Sequence, residues 1–335
     1  EVREGLVPRL LQDLMAQRDE HKALMKSAED DSTRMFHDQM QSAVKILMNT
    51  FYGVFASAFY RFTHPDIGSA ITAWARSNIK KIIHALEEEG HPVVYSDTDS
   101  VFVSAPEEGN DALVSFGHEL AARFTKEGAE LEFEKGLSVF FSHGAKKRYV
   151  GRVVWPEEDL LIRGYEVRRT DSFDLLNRTM MGTFERILDG DEEGAYKHVI
   201  NLIRSVKAGE VEVVDLILSR SCKGKVLKDG TVDFSVYSNP DGLPYVQAAR
   251  KRIARGLPFT PGMKVSYIVT AAKDENGRQA VEPWLVAETG DAPPTPDWSF
   301  YAERLARAMG RITEVYGWSD KDLLLGSRQQ TFDFF

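Results

Sequence analysis

The run Val93-Val94-Tyr95-Ser96-Asp97-Thr98-Asp99-Ser100-Val101-Phe102-Val103 decides how the rest of the chain is read. β-Branched and aromatic residues flank a short polar centre, which predicts a β-hairpin with acidic residues at its turn. Acidic side chains two apart on an extended chain point to the same face. Asp97 and Asp99 can therefore converge on divalent cations, and two hard cations held by carboxylates are what an in-line phosphoryl or nucleotidyl transfer needs. Taken alone, an Asp-x-Asp pattern is more often an ordinary turn, where Asp is common.

Upstream of the hairpin, hydrophobic periodicity predicts helices over roughly 8–28, 34–52 and 66–88. The polar run 28–33 separates the first two, with Thr33 as the cap, and the pair suits an antiparallel helical hairpin. On the second helix Lys45, Asn49 and Tyr52 recur at helical spacing and share one face, which is not apolar. On the first, Arg18 and Lys22 are also four apart. Lys and Arg meet phosphate oxygens, Asn hydrogen-bonds, and a Tyr ring stacks beside bases, so the two helices can offer three cations to one anionic ligand.

Downstream, the pattern predicts a helix over 111–127, a strand over 130–134 and a strand pair around 138–163. Beyond about 172 the chain reads as mainly helical, with an irregular middle (219–245), a strand at 264–270, a Pro-rich loop (293–296) and a last helix (298–316). The residues after Trp318 read as an uncapped tail.

With 335 residues, 43% hydrophobic and 28% charged, the chain can bury a sizeable core and divide into two or more lobes. No stretch approaches the roughly 20 apolar residues that cross a bilayer, and Glu1 to Gly5 lack the features of a signal peptide. Cys222 is the only cysteine, which excludes an internal disulfide and a Cys-based zinc site. The net charge of −9 argues against phosphate binding by the chain as a whole. Local clusters argue the other way: Lys146, Lys147 and Arg148; Arg163, Arg168 and Arg169; and Arg250, Lys251, Arg252 and Arg255 along a predicted helix.

The order KxxxNxxYG (Lys45 to Gly53), YxDTDS (Tyr95 to Ser100) and KKRY (Lys146 to Tyr149) resembles motif B, motif C and the KKRY motif of family B DNA polymerases. Arg163-Gly164-Tyr165-Glu166 with Arg169 and Asp171 resembles the start of that family's thumb. So do Pro244-Tyr245-Val246 through Arg250, Arg255-Gly256 and Pro261-Gly262 to Ser266-Tyr267-Ile268-Val269. The resemblance covers nearly the whole chain, from about Leu6 to Trp318. It implies an α+β right-hand polymerase fragment, with helical-hairpin fingers (1–53), part of an antiparallel β palm (54–165), a mostly helical thumb (166–318) and a C-terminal tail (319–335).

Residue by residue, the resemblance implies that Asp99 is the principal metal ligand for two Mg²⁺ ions and that Asp97 lies beside it. Lys45 and Asn49, with Arg18 and Lys22, would bind the incoming dNTP, with Lys45 also a candidate to protonate the leaving pyrophosphate. Tyr52 would border the nascent base pair. Lys146, Lys147, Arg148 and Tyr149, with Arg169, would hold the primer-template DNA. Glu134 is a candidate auxiliary carboxylate, although alternating Glu on a half-exposed strand is usually solvent-facing.

Motif A, of the form DxxSLYP, is absent, as are the exonuclease motifs. Position 1 is Glu, so the expectation is a fragment, a processed chain or one piece of a split polymerase, completed by an N-terminal polypeptide that carries motif A and the exonuclease. The tail suggests a sliding clamp as a further partner: Gln329, Phe332, Phe334 and Phe335 resemble a clamp-binding peptide, with one residue fewer than usual before the aromatic pair. The leading expectation is a cytoplasmic, nucleoid-associated DNA-directed nucleotidyltransferase of DNA replication. The alternatives are a non-catalytic polymerase-like subunit that binds DNA or a clamp, and a two-metal nuclease, for which the Arg18, Lys22, Lys45 and Asn49 face has no evident use.

Overall fold

The structure is a computed structural model, and it describes residues 5–61, 63–105, 109–127, 131–143, 145–165, 172–273 and 277–327. The chain forms two compact units, one of residues 1–108 with 115–132 and the other of residues 109–114 with 133–335.

In the first unit, α1 (Leu6–Ser27) and α2 (Asp31–Phe55) double back on each other across three residues. The cap of α2 is Asp30, whose carboxylate accepts the Thr33 amide at 2.8 Å, so the helix begins earlier than Thr33 as cap would allow. Leu14 and Val44 are buried in the hairpin, and His21 and His37 bond through their Nδ1 atoms at 3.0 Å nearer the turn. α3 (Pro65–Glu88) starts with Pro in its first turn and crosses the end of α2 closely: a Cβ on Gly68 would lie 3.0 Å from the Ala56 Cβ. β1 (Val93–Asp97) and β2 (Ser100–Val103) form an antiparallel hairpin, and α4 (Asn110–Lys126) follows, with its residues from Ser115 onward in this unit.

The small core of this unit joins Ile82 and Leu86 of α3 to Phe124 of α4, with Val93, Val101, Val103 and Leu131 packed around them. Full burial of one such side chain contributes about 1.5–3 kcal/mol. The N-terminal half of α3 is different, for Ile67, Ile71 and Trp74, spaced on one helical face, are all exposed. No strand forms at 131–134, the described part of the stretch expected to be one. The described residues 131–135 are irregular, although Leu131 and Phe133 still turn inward while Glu132 and Glu134 are exposed. Alternation survives there without a partner strand.

The second unit starts with β3 (Gly136–Ser142), β4 (Tyr149–Trp155) and β5 (Asp159–Arg163), an antiparallel sheet in that order. α5 (Asp174–Leu188) and α6 (Glu192–Ala208) follow, then β6 (Leu218–Ser221), the short hairpin β7 (Lys225–Val226) and β8 (Val232–Asp233), and α7 (Pro244–Ala254). β9 (Lys264–Lys273) lies between β10 (Gln279–Pro283) and β6 in a second antiparallel sheet. α8 (Val286–Thr289), α9 (Trp298–Thr313) and α10 (Asp320–Leu325) complete the unit.

Its core is large and continuous, with Phe173, Phe184, Tyr301, Leu305 and Met309 all buried to 2% exposure or less. The buried Tyr301 hydroxyl accepts the Val269 amide at 3.0 Å, which ties α9 to β9. Burial raises that phenol's pKa well beyond its usual range. Truncating Phe184 to Ala would cost about 3–5 kcal/mol. The residues after Trp318 differ from the sequence expectation, because Ser319 and Asp322 form a reciprocal capping box that starts α10. Lys207 of α6 donates to the Leu324 carbonyl at 2.6 Å and holds that helix down.

Candidate active site

At the acidic hairpin, Asp97 pairs with Ser100, which leaves Thr98 and Asp99 as the turn. The Asp99 amide donates to the Asp97 carbonyl at 2.7 Å across Thr98, whose φ is 57°. That is a tight three-residue turn with a β-branched residue in the left-handed region, a conformation costing roughly 1–3 kcal/mol. The expectation that both carboxylates leave one face of an extended strand is thereby corrected: Asp97 ends β1 and Asp99 sits in the turn, so the turn geometry, not the strand pleat, sets their directions.

The two acids also differ in surroundings. Asp97 is half-buried and accepts the Thr98 hydroxyl at 3.0 Å, while the Ser100 hydroxyl donates to the Asp97 carbonyl at 3.1 Å. Asp99 is exposed, and its carboxylate makes no hydrogen bond or ion pair among the described residues. Beneath the turn, the Tyr95 and Phe102 rings meet edge to face, centroids 5.6 Å apart, and stiffen the two strands. Oxygen donors of this kind suit Mg²⁺. No group of three or more His, Cys, Asp or Glu side chains gathers among the described residues.

On α2, Lys45, Asn49 and Tyr52 are all exposed, with the Tyr52 side open to 43%. Lys22 on α1 lies 3.4 Å from Glu132, an exposed pair that contributes little and yields readily to a better anion. Arg18 sits between the Leu14–Val44 and His21–His37 levels of the hairpin, and its Nε is buried without a hydrogen-bond partner. Gln41, from the matching stretch of α2, likewise leaves its Oε1 unpaired. The unpaired Nε–H is a donor still able to take an acceptor.

The segment 143–148 joins β3 to β4 in the second unit. Lys146 and Lys147 are exposed, Arg148 is half-buried, and Tyr149 is only 7% exposed, its ring lying on Phe140 at 5.7 Å. The Arg148 amide donates to the Ala145 carbonyl at 3.2 Å, and the Ser142 hydroxyl donates to the Arg148 carbonyl at 3.2 Å. Arg169 and the tail residues Gln329, Phe332, Phe334 and Phe335 lie outside the described residues.

The third basic run looks quite different folded than in sequence. On α7, Arg250 pairs with Asp241, Lys251 and Arg255 share Glu282, and Arg252 pairs with Glu288. Those partners lie as far as 36 residues away, which no local reading could find. A separate cleft of 460 Å³ along α5 and α6, lined by Arg186, Lys197, His198 and Asn201 among others, contains none of the predicted site residues. Burial, and then Arg186, lower the pKa of His198 there. Among the described residues no helix is long and apolar enough to cross a membrane.

Comparison with known proteins adds the context. The profile of DNA polymerase family B matches residues 1–315. A DNA polymerase of Thermococcus gorgonarius is 29% identical over 328 residues, 95% of this chain and 40% of that protein. DNA polymerase 2 of Aeropyrum pernix is 29% identical over 330 residues, 98% of this chain and 38% of that protein. The fold superposes on the family B DNA polymerase from the hyperthermophilic archaeon Pyrobaculum calidifontis with a TM-score of 0.60 at 23% identity, covering 94% of this chain and 39% of that one. This chain thus spans about 40% of the length of the curated relatives it matches.

Proposed function

This chain belongs to DNA polymerase family B, and from that premise we propose that it supplies the fingers, the acidic hairpin and the thumb of a DNA-directed DNA polymerase. The observation that carries the reading is Asp99: an exposed carboxylate, unpartnered among the described residues, at the apex of a strained hairpin turn. Left-handed strain at a β-branched residue persists where the surroundings over-determine it, and such strain clusters at functional sites.

Asp99 would hold Mg²⁺, with Asp97 beside it; when bound, two such ions lower the pKa of the primer 3′ hydroxyl and neutralise charge at the reacting phosphorus. Lys45 and Arg18 bind triphosphate oxygens, Lys22 exchanges Glu132 for phosphate, and Asn49 hydrogen-bonds the nucleotide. Lys45 would also protonate the departing pyrophosphate. The exposed Tyr52 ring borders the new base pair. Lys146, Lys147 and Arg148 take the primer-template backbone, with Tyr149 supporting the strand beneath them. The remaining metal-bridging carboxylate would come from a motif A on a partner segment, since no DxxSLYP run occurs in these 335 residues. Residues 329–335 are the candidate tether to a sliding clamp.

Primer extension in Mg²⁺ tests this, using the chain with and without a polypeptide that carries motif A. Synthesis only on mixing is expected. DNA binding without synthesis in the mixture would favour the non-catalytic subunit.

A further inference from the structure

Among the described residues, Thr98 and Lys147 alone take a positive φ without being glycine. Lys147, at 64°, lies at the centre of the basic turn. What lies against its backbone is Gly164, itself at φ 72°: a Cβ built on Gly164 would come within 1.9 Å of the Lys147 carbonyl oxygen and 2.8 Å of its carbon. The Arg148 Cγ would be 3.0 Å away. The ladder between β4 and β5 reaches the rung Tyr149–Arg163, so 147–148 and 164–165 run side by side just past it.

Neither strand has an easy way to retreat. The Tyr165 ring packs edge-on against Phe184, centroids 4.8 Å apart, in the wall of the main core. Burial raises the pKa of that phenol and the nearby Arg148 charge pulls against the rise, which again puts the two segments together. The Ser142 hydroxyl also donates to the Arg148 carbonyl, at 3.2 Å.

We propose that Gly164 is a positioning residue for phosphate contact: its missing side chain leaves the space in which the Lys147 carbonyl turns inward, and this fixes where Lys146, Lys147 and Arg148 stand on the surface. The inference rests on the reading that this turn meets the nucleic-acid backbone. Any side chain at Gly164 must push the Lys147 peptide outward, since the Tyr165 side is anchored. A displaced peptide re-aims three cations at once.

The test measures binding of a labelled primer-template duplex by the full chain across a salt series, together with the melting temperature. Gly164→Ala is compared with Gly190→Ala, because Gly190 has φ 75° and nothing within 4 Å of its would-be Cβ. The control carries the same left-handed strain without the collision. Gly164→Ala should weaken binding about fivefold or more and flatten the dependence of log K on log salt by about one to two phosphate contacts. Gly190→Ala should bind as the parent does, with a smaller loss of melting temperature because only the strain is present.

Equal affinity for Gly164→Ala and the parent, or equal weakening by Gly190→Ala, overturns the proposal. Lys147→Gln separates the two layers of the argument. If it too binds as the parent, the turn is not a phosphate contact and both readings fall; if it weakens binding while Gly164→Ala does not, only the positioning role falls. Should Gly164→Ala fail to fold, Ser142→Ala decides, for it frees the same turn without adding an atom. A twofold to threefold loss of affinity with a flatter salt slope supports positioning of the turn, and an unchanged slope overturns it.

Discussion

The amide of Asp99 donates to the carbonyl of Asp97 across a single intervening residue, so the acidic pair is organised by one tight turn and not by the pleat of a strand. The arrangement gives the two carboxylates unequal lives: the Asp97 side chain is held by the Thr98 hydroxyl, whereas Asp99 contributes nothing to the fold through its side chain among the described residues.

Asp99→Ala should therefore melt within about 0.5 kcal/mol of the parent, as exposed substitutions usually do. Mixed with a polypeptide that carries motif A, as proposed above, the variant should lose nucleotide addition while primer-template binding persists. Thermal melting, a binding isotherm and primer extension on the same preparation check this. Retained synthesis would remove Asp99 from the metal site.

Lys45→Ala removes an exposed cation from α2 and should leave the melting temperature in place. Its expected effect is on nucleotide use: a raised apparent KM for dNTP together with slower incorporation, by about tenfold or more for the loss of one charge-assisted contact. Single-turnover incorporation against dNTP concentration provides the readout, and an unchanged concentration dependence would contradict the assigned role.

Glu288 concerns stability and pH. Both terminal nitrogens of Arg252 grip its carboxylate, and the Arg252 Nε donates to the Pro258 carbonyl at 2.8 Å. The hydrogen bond from Arg252 holds the Glu288 carboxyl below its ordinary 4.5. A carboxyl depressed in the folded state binds fewer protons there than in the unfolded chain. Its stabilisation is thus complete above about 4.5 and is lost as pH falls through the lower folded value. Breaking a buried pair costs about 3–5 kcal/mol, but the Glu288 side chain is 41% exposed, so Glu288→Gln should cost about 1–3 kcal/mol at neutral pH. Melting curves from pH 3 to 7 should show parent and variant converging at the acid end; a constant gap would mean that the pair does not titrate with folding.

Deletion of residues 329–335 should leave melting and distributive synthesis as they are, because α10 is capped by Ser319 and anchored by Lys207 before that segment begins. Stimulation of synthesis by a sliding clamp should disappear. If stimulation survives the deletion, the clamp contact lies elsewhere.

What the sequence made legible follows the range of the forces involved. Helix periodicity and the acidic hairpin depend on neighbours in the chain, and α1 to α4, β1 and β2 fall close to where the pattern puts them. The cap of α2 moved from Thr33 to Asp30 because both can start a helix, and only the fold shows which oxygen meets which amide. The strand expected at 130–134 has no partner among the described residues 131–134, and β6 and β10 went unforeseen because their strength comes from flanking β9, a pairing set by tertiary contact. The same limit hid the left-handed Lys147, since nothing in Lys-Lys-Arg-Tyr announces that Gly164, 17 residues on, leaves room for its carbonyl. It also hid the fate of the α7 cations, whose partners lie 9 to 36 residues away.

Those α7 pairings have a mechanical meaning. A helix tied to Asp241 before it, to Glu282 in β10 and to Glu288 in α8 behaves as a brace, and a pull on it is shared by three stretches of chain. The ties are not of equal grade. The tie to Asp241 stands in solvent and those to Glu282 are half-exposed, so added electrolyte slackens the first most, while Arg252, 11% exposed at its side chain, keeps its grip. Salt thus loosens the brace at its Asp241 joint first and leaves the Arg252 joint for last.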